Sequence, residues 1–236
     1  MTRFWSSLAA LTLLSSTAAA GPVADFETTY RAMYGTYRVA LFKTNSGAQD
    51  DAGKAIAGLG HQLTALAETY GATPPPQYED DPMWAETIDG ALALVGTAET
   101  QIAAKDLTHA HETLEGVRDL FGALHARNGI ETFSDRMNAY HAEMEHLLAM
   151  DLATLTPEGI DAVLEKAAVL SYLAEDVLSH PPLEAAGNAE YDALSAAFGA
   201  SVNTLLAACR AGDVDQIRAA AGKVKAPYSK LFLKFG

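Results

Sequence analysis

The sequence predicts an all-α protein, built as two tandem antiparallel four-helix bundles or as one eight-helix assembly of two repeats. Three observations predict it. Apolar residues recur at a spacing near 3.6 in eight segments, no segment alternates as a strand would, and the second half of the chain repeats the first at one offset of 107 residues. That offset lays Pro74-Pro75 on Pro181-Pro182, Trp84 on Tyr191, Asp106 on Asp213, Val117 on Val224, Phe121 on Tyr228 and Gly129 on Gly236. A single shift joining a loop, a helix start and an apolar stripe points to duplication, with residues 25–130 and 131–236 as the two copies.

Taken in order, residues 1–20 come first. Arg3, the apolar stretch through Leu8, Leu11, Leu13 and Leu14, and the small residues ending at Ala20 form the pattern of a secretory signal peptide. A periplasmic or secreted location is therefore expected. In the first copy Phe26, Tyr30, Met33, Tyr37 and Leu41 make one stripe, and Ile56, Leu59, Leu63, Leu66 and Tyr70 the next. A proline-rich loop over 72–83 precedes the third stripe (Trp84, Ile88, Leu92, Val95, Ile102), and the fourth is Leu107, Leu114, Val117, Phe121 and Leu124. The second copy repeats this with Phe133, Met137, Tyr140, Met144 and Leu147, then Ile160, Val163, Ala167, Leu170, Leu173 and Val177. Its last pair is Leu194, Phe198, Val202, Leu205 and Cys209, then Val214, Ile217, Val224, Tyr228 and Leu231. Tight third-to-fourth turns are expected at Lys105-Asp106 and Gly212-Asp213, and long second-to-third connections in both copies.

Composition narrows the function classes. The 236 residues are 49% hydrophobic and carry 16 basic against 30 acidic side chains, a formal charge of -14. Such a surface offers no positive track for a phosphate backbone, so nucleic acid is not an expected partner. Beyond the leader no stretch reads as the roughly twenty apolar residues of a membrane span. The single Cys209 makes no internal disulfide or CxxC pair, and its place on an apolar stripe is that of a small buried hydrophobe. No HExxH, GxSxG or phosphate-cradling glycine loop occurs, which favours a nonenzymatic protein.

The stretch from Met137 to His146 holds the densest chemistry. On a helix Met137, His141 and Glu145 stand at successive i,i+4 steps, with Met144 beside them. Imidazole with thioether suits copper, and imidazole with carboxylate suits zinc or iron, so a transition metal, copper favoured, is the expected ligand there. The same residues also make sense as core filling, with Glu145 satisfying His141 and His146 pointing to solvent. Tyr30, Met33, Tyr34 and Tyr37 on the first helix, flanked by Arg31 and Arg38, read as an aromatic core or as a pocket whose guanidinium rim meets a carboxylate. His111, Glu115, Arg118 and His125 share a flank of the fourth helix as a polar seam or ligand face, whereas His61 and His109 show no ligand partners. Glu79, Asp80 and Asp81 read as a solvated loop and helix entry.

The segment Val224-Lys225-Ala226-Pro227-Tyr228-Ser229-Lys230-Leu231-Phe232-Leu233-Lys234-Phe235, after the Gly212-Asp213 turn, resembles the terminal helix of the cytochrome c-prime family. Tyr30-Arg31-Ala32-Met33 resembles that family's opening helix. The resemblance implies an exported four-helix bundle in each copy. Its covalent haem, held by CxxCH, is not expected: Tyr228 and Leu231 stand at the cysteine positions and Phe232 at the histidine position, while the first copy has Phe121 and Leu124 but keeps His125. Met33 with His125 also looks like the axial pair of soluble b-type bundle cytochromes, which implies noncovalent haem with Tyr34 and Tyr37 beside it. Three readings follow: an exported binder of a metal or small cofactor, a haem-less interaction or sensing module for an organic ligand or exported protein partner, and a noncovalent haem electron carrier.

Overall fold

The computed structural model describes residues 21–236, and the expected signal segment 1–20 lies outside the described residues. The helices are α1 (Pro22–Asn45), α2 (Gln49–Tyr70), α3 (Trp84–Ala103), α4 (Leu107–Arg127), α5 (Phe133–Leu148), α6 (Ile160–Ser179), α7 (Ala189–Ala211) and α8 (Val214–Phe235). Short 3₁₀ turns at Pro76–Tyr78, Pro157–Gly159 and Leu183–Ala185 lie in the longer connections.

Helix starts are written in the sequence. Pro22 occupies the first turn of α1, where its missing N–H costs nothing. The Asp106 carboxylate accepts the His109 N–H at 3.2 Å, and Asp213 accepts those of Asp215 and Gln216 at 3.1 and 3.0 Å. Thr132 and Asp135 form a reciprocal capping box on α5. The two tight turns fall at equivalent places in the copies, Lys105 with φ 63° and Gly212 with φ 71°. Only the second copy puts the strain-free residue in that left-handed conformation.

Within each copy every helix packs on its chain neighbour, and the first and last helices close the ring, giving bundles α1–α4 and α5–α8. This selects the two-bundle arrangement over helix exchange between copies. Helix α1 also meets α8, so the buried apolar residues form one connected cluster across both bundles. The first core is rich in aromatics: Phe26 touches Tyr30, Tyr70, Tyr78 and Trp84, and Tyr30 meets Phe121 edge-on at 5.2 Å. In the second bundle Tyr140 packs on Phe198 and Tyr228, with Tyr191 against Phe133 and Phe235 nearer the chain end. Helices α3 and α4 approach closely where Gly90 and Gly116 receive Leu120 and Leu94, since an added Cβ would sit 3.1 and 3.2 Å from those side chains.

Two expectations change. Asp81 is not solvated: its side chain is 1% exposed and accepts hydrogen bonds from Asn128 Nδ2 (2.7 Å), the Met83 N–H (2.9 Å) and the Arg127 guanidinium (3.0 Å). Burial pushes its pKa up, but these donors outweigh it and hold the carboxyl below its ordinary range. The second concerns the absence of a span: α7 is, among the described residues, a helix long and apolar enough by length and composition to cross a membrane. Its Tyr191, Phe198, Val202, Leu205 and Cys209 nevertheless pack into the second bundle, with Glu190 and Asp192 in its first turn.

Candidate functional site: the seam between the bundles

The seam joins the first and last helices of the two copies, α1 and α4 facing α5 and α8. Side chains cross it at several points. His125 Nδ1 meets Asp135 Oδ2 at 2.8 Å, Asn138 Nδ2 donates to the Tyr34 hydroxyl at 3.3 Å, and His141 Nε2 lies 3.8 Å from Glu115 Oε1. The same Glu115 oxygen is 3.8 Å from His111 Nε2 and 3.6 Å from Arg118.

Three cavities open along the seam. One, about 370 Å³, is lined by Arg118, Asp119 and Gly122 of α4 and Asp135, Asn138 and Ala142 of α5. Of the other two, the smaller, about 240 Å³, is lined by His111, Glu115, Arg118, His141, Glu145 and Lys225, over a floor that includes Leu41, Tyr228 and Phe232. Glu145 is matched by Lys225 at 2.8 Å. His141 stacks on Tyr228, its Nδ1 is buried, and that nitrogen has no hydrogen-bond partner among the described residues. The larger cavity, about 770 Å³, lies between α1, the start of α5, the 180–188 connection and the end of α8. Tyr30, Tyr34, Phe133 and Phe235 give it aromatic walls, and Leu183, 79% exposed, stands on its lining.

Charges around the larger cavity are almost all matched. Arg31 meets Glu184 at 3.6 Å, Arg136 meets Glu131 at 2.6 Å and Asp176 at 3.1 Å, Lys234 meets Glu190 at 3.0 Å, and Glu27 accepts from Gln77 at 3.0 Å. Arg38, which lines the smaller and the larger cavity alike, has no acidic group within 4.0 Å among the described residues, and its buried Nε has no hydrogen-bond partner. Its guanidinium folds back over Gly35, 3.7 Å from where a Cβ would stand there. Burial depresses its pKa, the direction expected of a desolvated cation. Beside it, burial pushes Tyr34 up to about 12, so that phenol stays neutral.

The expected site residues divide between seam and core. Met137 and Met144 are fully buried in the second bundle and do not line the small cavity, because positions 137, 140, 144 and 147 of α5 face their own core. His141 and Glu145 stand on the flank of that stripe and do line it. Among the described residues, no group of three or more His, Cys, Asp or Glu side chains is placed to hold a metal ion. Met33 is fully buried, and His125 is buried against Tyr30 and Tyr78 with Nδ1 committed to Asp135. Tyr37 donates to the Leu114 carbonyl at 3.1 Å, whereas Tyr34 faces the larger cavity. His109 pairs with its cap, Asp106, at 2.7 Å, and Cys209 is buried with its thiol pKa raised by that burial.

Residues missed as site-formers include Asp135 and Asn138 on α5 and Lys225 and Phe232 on α8. Their signal was present as polar residues beside an apolar stripe, but only the meeting of the two bundles brings them to one place.

No family model, curated protein or solved structure matches this chain.

Proposed function

We propose that this chain is an exported, nonenzymatic binding protein whose larger interbundle cavity takes a small amphipathic organic molecule bearing a carboxylate. The supporting observation is Arg38, a cation without a carboxylate partner in a seam whose other cations are matched, on a chain of net charge -14. A guanidinium presents two parallel N–H donors that fit a carboxylate fork, and the bond gains strength away from bulk water. The cavity's size falls within the roughly 300–1,000 Å³ of small-molecule sites. Its aromatic walls would cover the apolar part of the ligand, with Leu183 at the rim. Export rests on the pattern of residues 1–20, and the scaffold reading rests on the likeness of Val224–Phe235 to the last helix of the cytochrome c-prime family. Binding would be reversible: Arg38 orients the acid group and the rings desolvate the remainder, with no bond made or broken.

Isothermal titration of the full chain with a panel of aromatic and aliphatic monocarboxylates tests this. At least one should bind, Arg38→Ala should weaken it about 10- to 100-fold, and Arg38→Lys should fall between, because an ammonium keeps the charge but loses the fork. Binding unchanged in Arg38→Ala, or no binding by the unaltered chain, would overturn the proposal.

A further inference from the structure

We infer that the Tyr34 hydroxyl is the second anchor for the ligand's carboxylate, donating to it beside the Arg38 guanidinium, and that Asn138 of the second bundle is the positioning residue that turns the phenol's proton toward the cavity. The inference rests on the carboxylate reading and adds to it the groups that complete the grip.

Placement on α1 comes first. Tyr34 and Arg38 are i,i+4, share one face and both line the larger cavity. Arg38 does not reach away from Tyr34: its Nη2 lies 3.7 Å from where a Cβ on Gly35 would stand, so the guanidinium lies back over the turn that carries the phenol. An acid group seated on the guanidinium is thereby brought to the Tyr34 side of the cavity. The phenol itself is held firmly, its ring stacked on Tyr30 at 5.6 Å and packed against Tyr37 at 5.0 Å.

Proton accounting supports the same use. Tyr37 commits its hydrogen to the Leu114 carbonyl at 3.1 Å, whereas the Tyr34 oxygen accepts from Asn138 Nδ2 at 3.3 Å and no described group accepts from it. With an amide N–H on that oxygen, the hydroxyl hydrogen points elsewhere, and the chain of donors from Asn138 through Tyr34 polarises the O–H. Burial pushes Tyr34 up to about 12, so the proton stays on the phenol at neutral pH. A molecule that fills the cavity strips water from this O–H and leaves it unpaired unless it brings an acceptor. A carboxylate on the Arg38 fork does so, since the fork leaves lone pairs on both oxygens open. Asn138 is well placed to orient the phenol: Asp135, Asn138 and His141 follow at i,i+3 steps on α5, and the outer two meet His125 at 2.8 Å and Glu115 at 3.8 Å. Its Oδ1 is buried with no partner among the described residues, so the hydrogen bond to Tyr34 is the one described for this amide.

The test titrates the full chain and its variants with phenylacetate, hexanoate and the rest of the monocarboxylate panel. Tyr34→Phe should weaken binding about 10-fold, Asn138→Leu about 3- to 10-fold, and the two together no more than Tyr34→Phe alone. That lack of additivity is what a packing role would not give, because a side chain that merely supports the fold lowers affinity by the same factor in either background. Thermal melts identify any variant that fails to fold, and Tyr34→Phe, which deletes a single oxygen, decides even if Asn138→Leu is one of them. Undiminished binding by Tyr34→Phe, with Arg38→Ala weakened, would overturn this inference and leave the carboxylate reading standing. No uptake of any monocarboxylate by the unaltered chain would overturn both. Losses that multiply in the double variant, or tighter binding in Asn138→Leu because the phenol's proton had gone to Asn138 Oδ1, would overturn the role of Asn138.

Discussion

The two bundles share one helical plan but close their ends differently. At the end of the first, Asp81 is buried under Arg127 and Asn128, and His125 reaches out to Asp135 of the next bundle. At the positions 107 residues on, the second bundle has Asn188, Lys234, Phe235 and Phe232. There Asn188 caps α7, Lys234 makes an exposed pair with Glu190, and the two phenylalanines pack against Tyr228 and Tyr191. Duplicated scaffolds can thus keep their apolar stripes while the polar flank diverges. Here the divergence supplies the seam: Tyr34 corresponds to His141, Arg38 to Glu145, and His111 to Arg218. Arg218 no longer faces the seam and instead ties down the α5–α6 connection through the Leu152 and Ala153 carbonyls.

The comparison breaks most directly in the cores. Phe121 and Phe198 are both essentially unexposed, and truncating either to Ala should cost about 3–5 kcal/mol. Because the apolar cluster runs through both bundles, calorimetry should show one transition that either substitution lowers. Two transitions, each responding to its own substitution, would show that the bundles unfold separately.

A smaller effect separates the two ends. Asp81→Ala removes the carboxylate that Arg127 and Asn128 share, leaving them Thr87 and the Leu124 carbonyl, and should cost about 1.5–3 kcal/mol, whereas Lys234→Ala, at an exposed pair, should cost no more than about 1 kcal/mol by denaturant titration. Comparable losses would remove the distinction. The same asymmetry predicts the acid limb. Asp81, Asp135 and Glu115 all have folded pKa values below their ordinary ones, so the unfolded chain binds more protons. Their contribution is present above about pH 4 and is lost as pH falls through the folded values. Melting temperatures measured through that range should fall less steeply in Asp81→Asn than in the unaltered chain. The smallest effect lies at the paired turns: Lys105→Gly should gain about 1 kcal/mol by relieving a left-handed lysine, and Gly212→Ala should lose a similar amount.

Much of the fold was legible because helical periodicity and turn chemistry are local. The eight stripes and the paired turns at Lys105-Asp106 and Gly212-Asp213 reappear in the structure, where Asp106 and Asp213 also cap the helices that follow. Asp81 misled because three consecutive acids before a proline look solvated, and only the return of α4 reveals donors at Arg127 and Asn128. At the site, the sequence marked His141, Glu145 and Tyr34, and it placed His111, Glu115 and Arg118 on one flank. It did not show that α4 of one copy would face α5 of the other. For the same reason Met137 and Met144 looked available, although the stripe that makes them neighbours of His141 in sequence also turns them into the core.

The account's central claim is that the seam is a binding surface anchored by Arg38. Native mass spectrometry of the protein from its own source, desalted without denaturation, tests this most directly. A bound small organic acid, released on unfolding and absent from Arg38→Ala prepared identically, is the predicted result. A ligand-free chain that also fails to take up any added carboxylate, or a retained acid indifferent to Arg38, would contradict it.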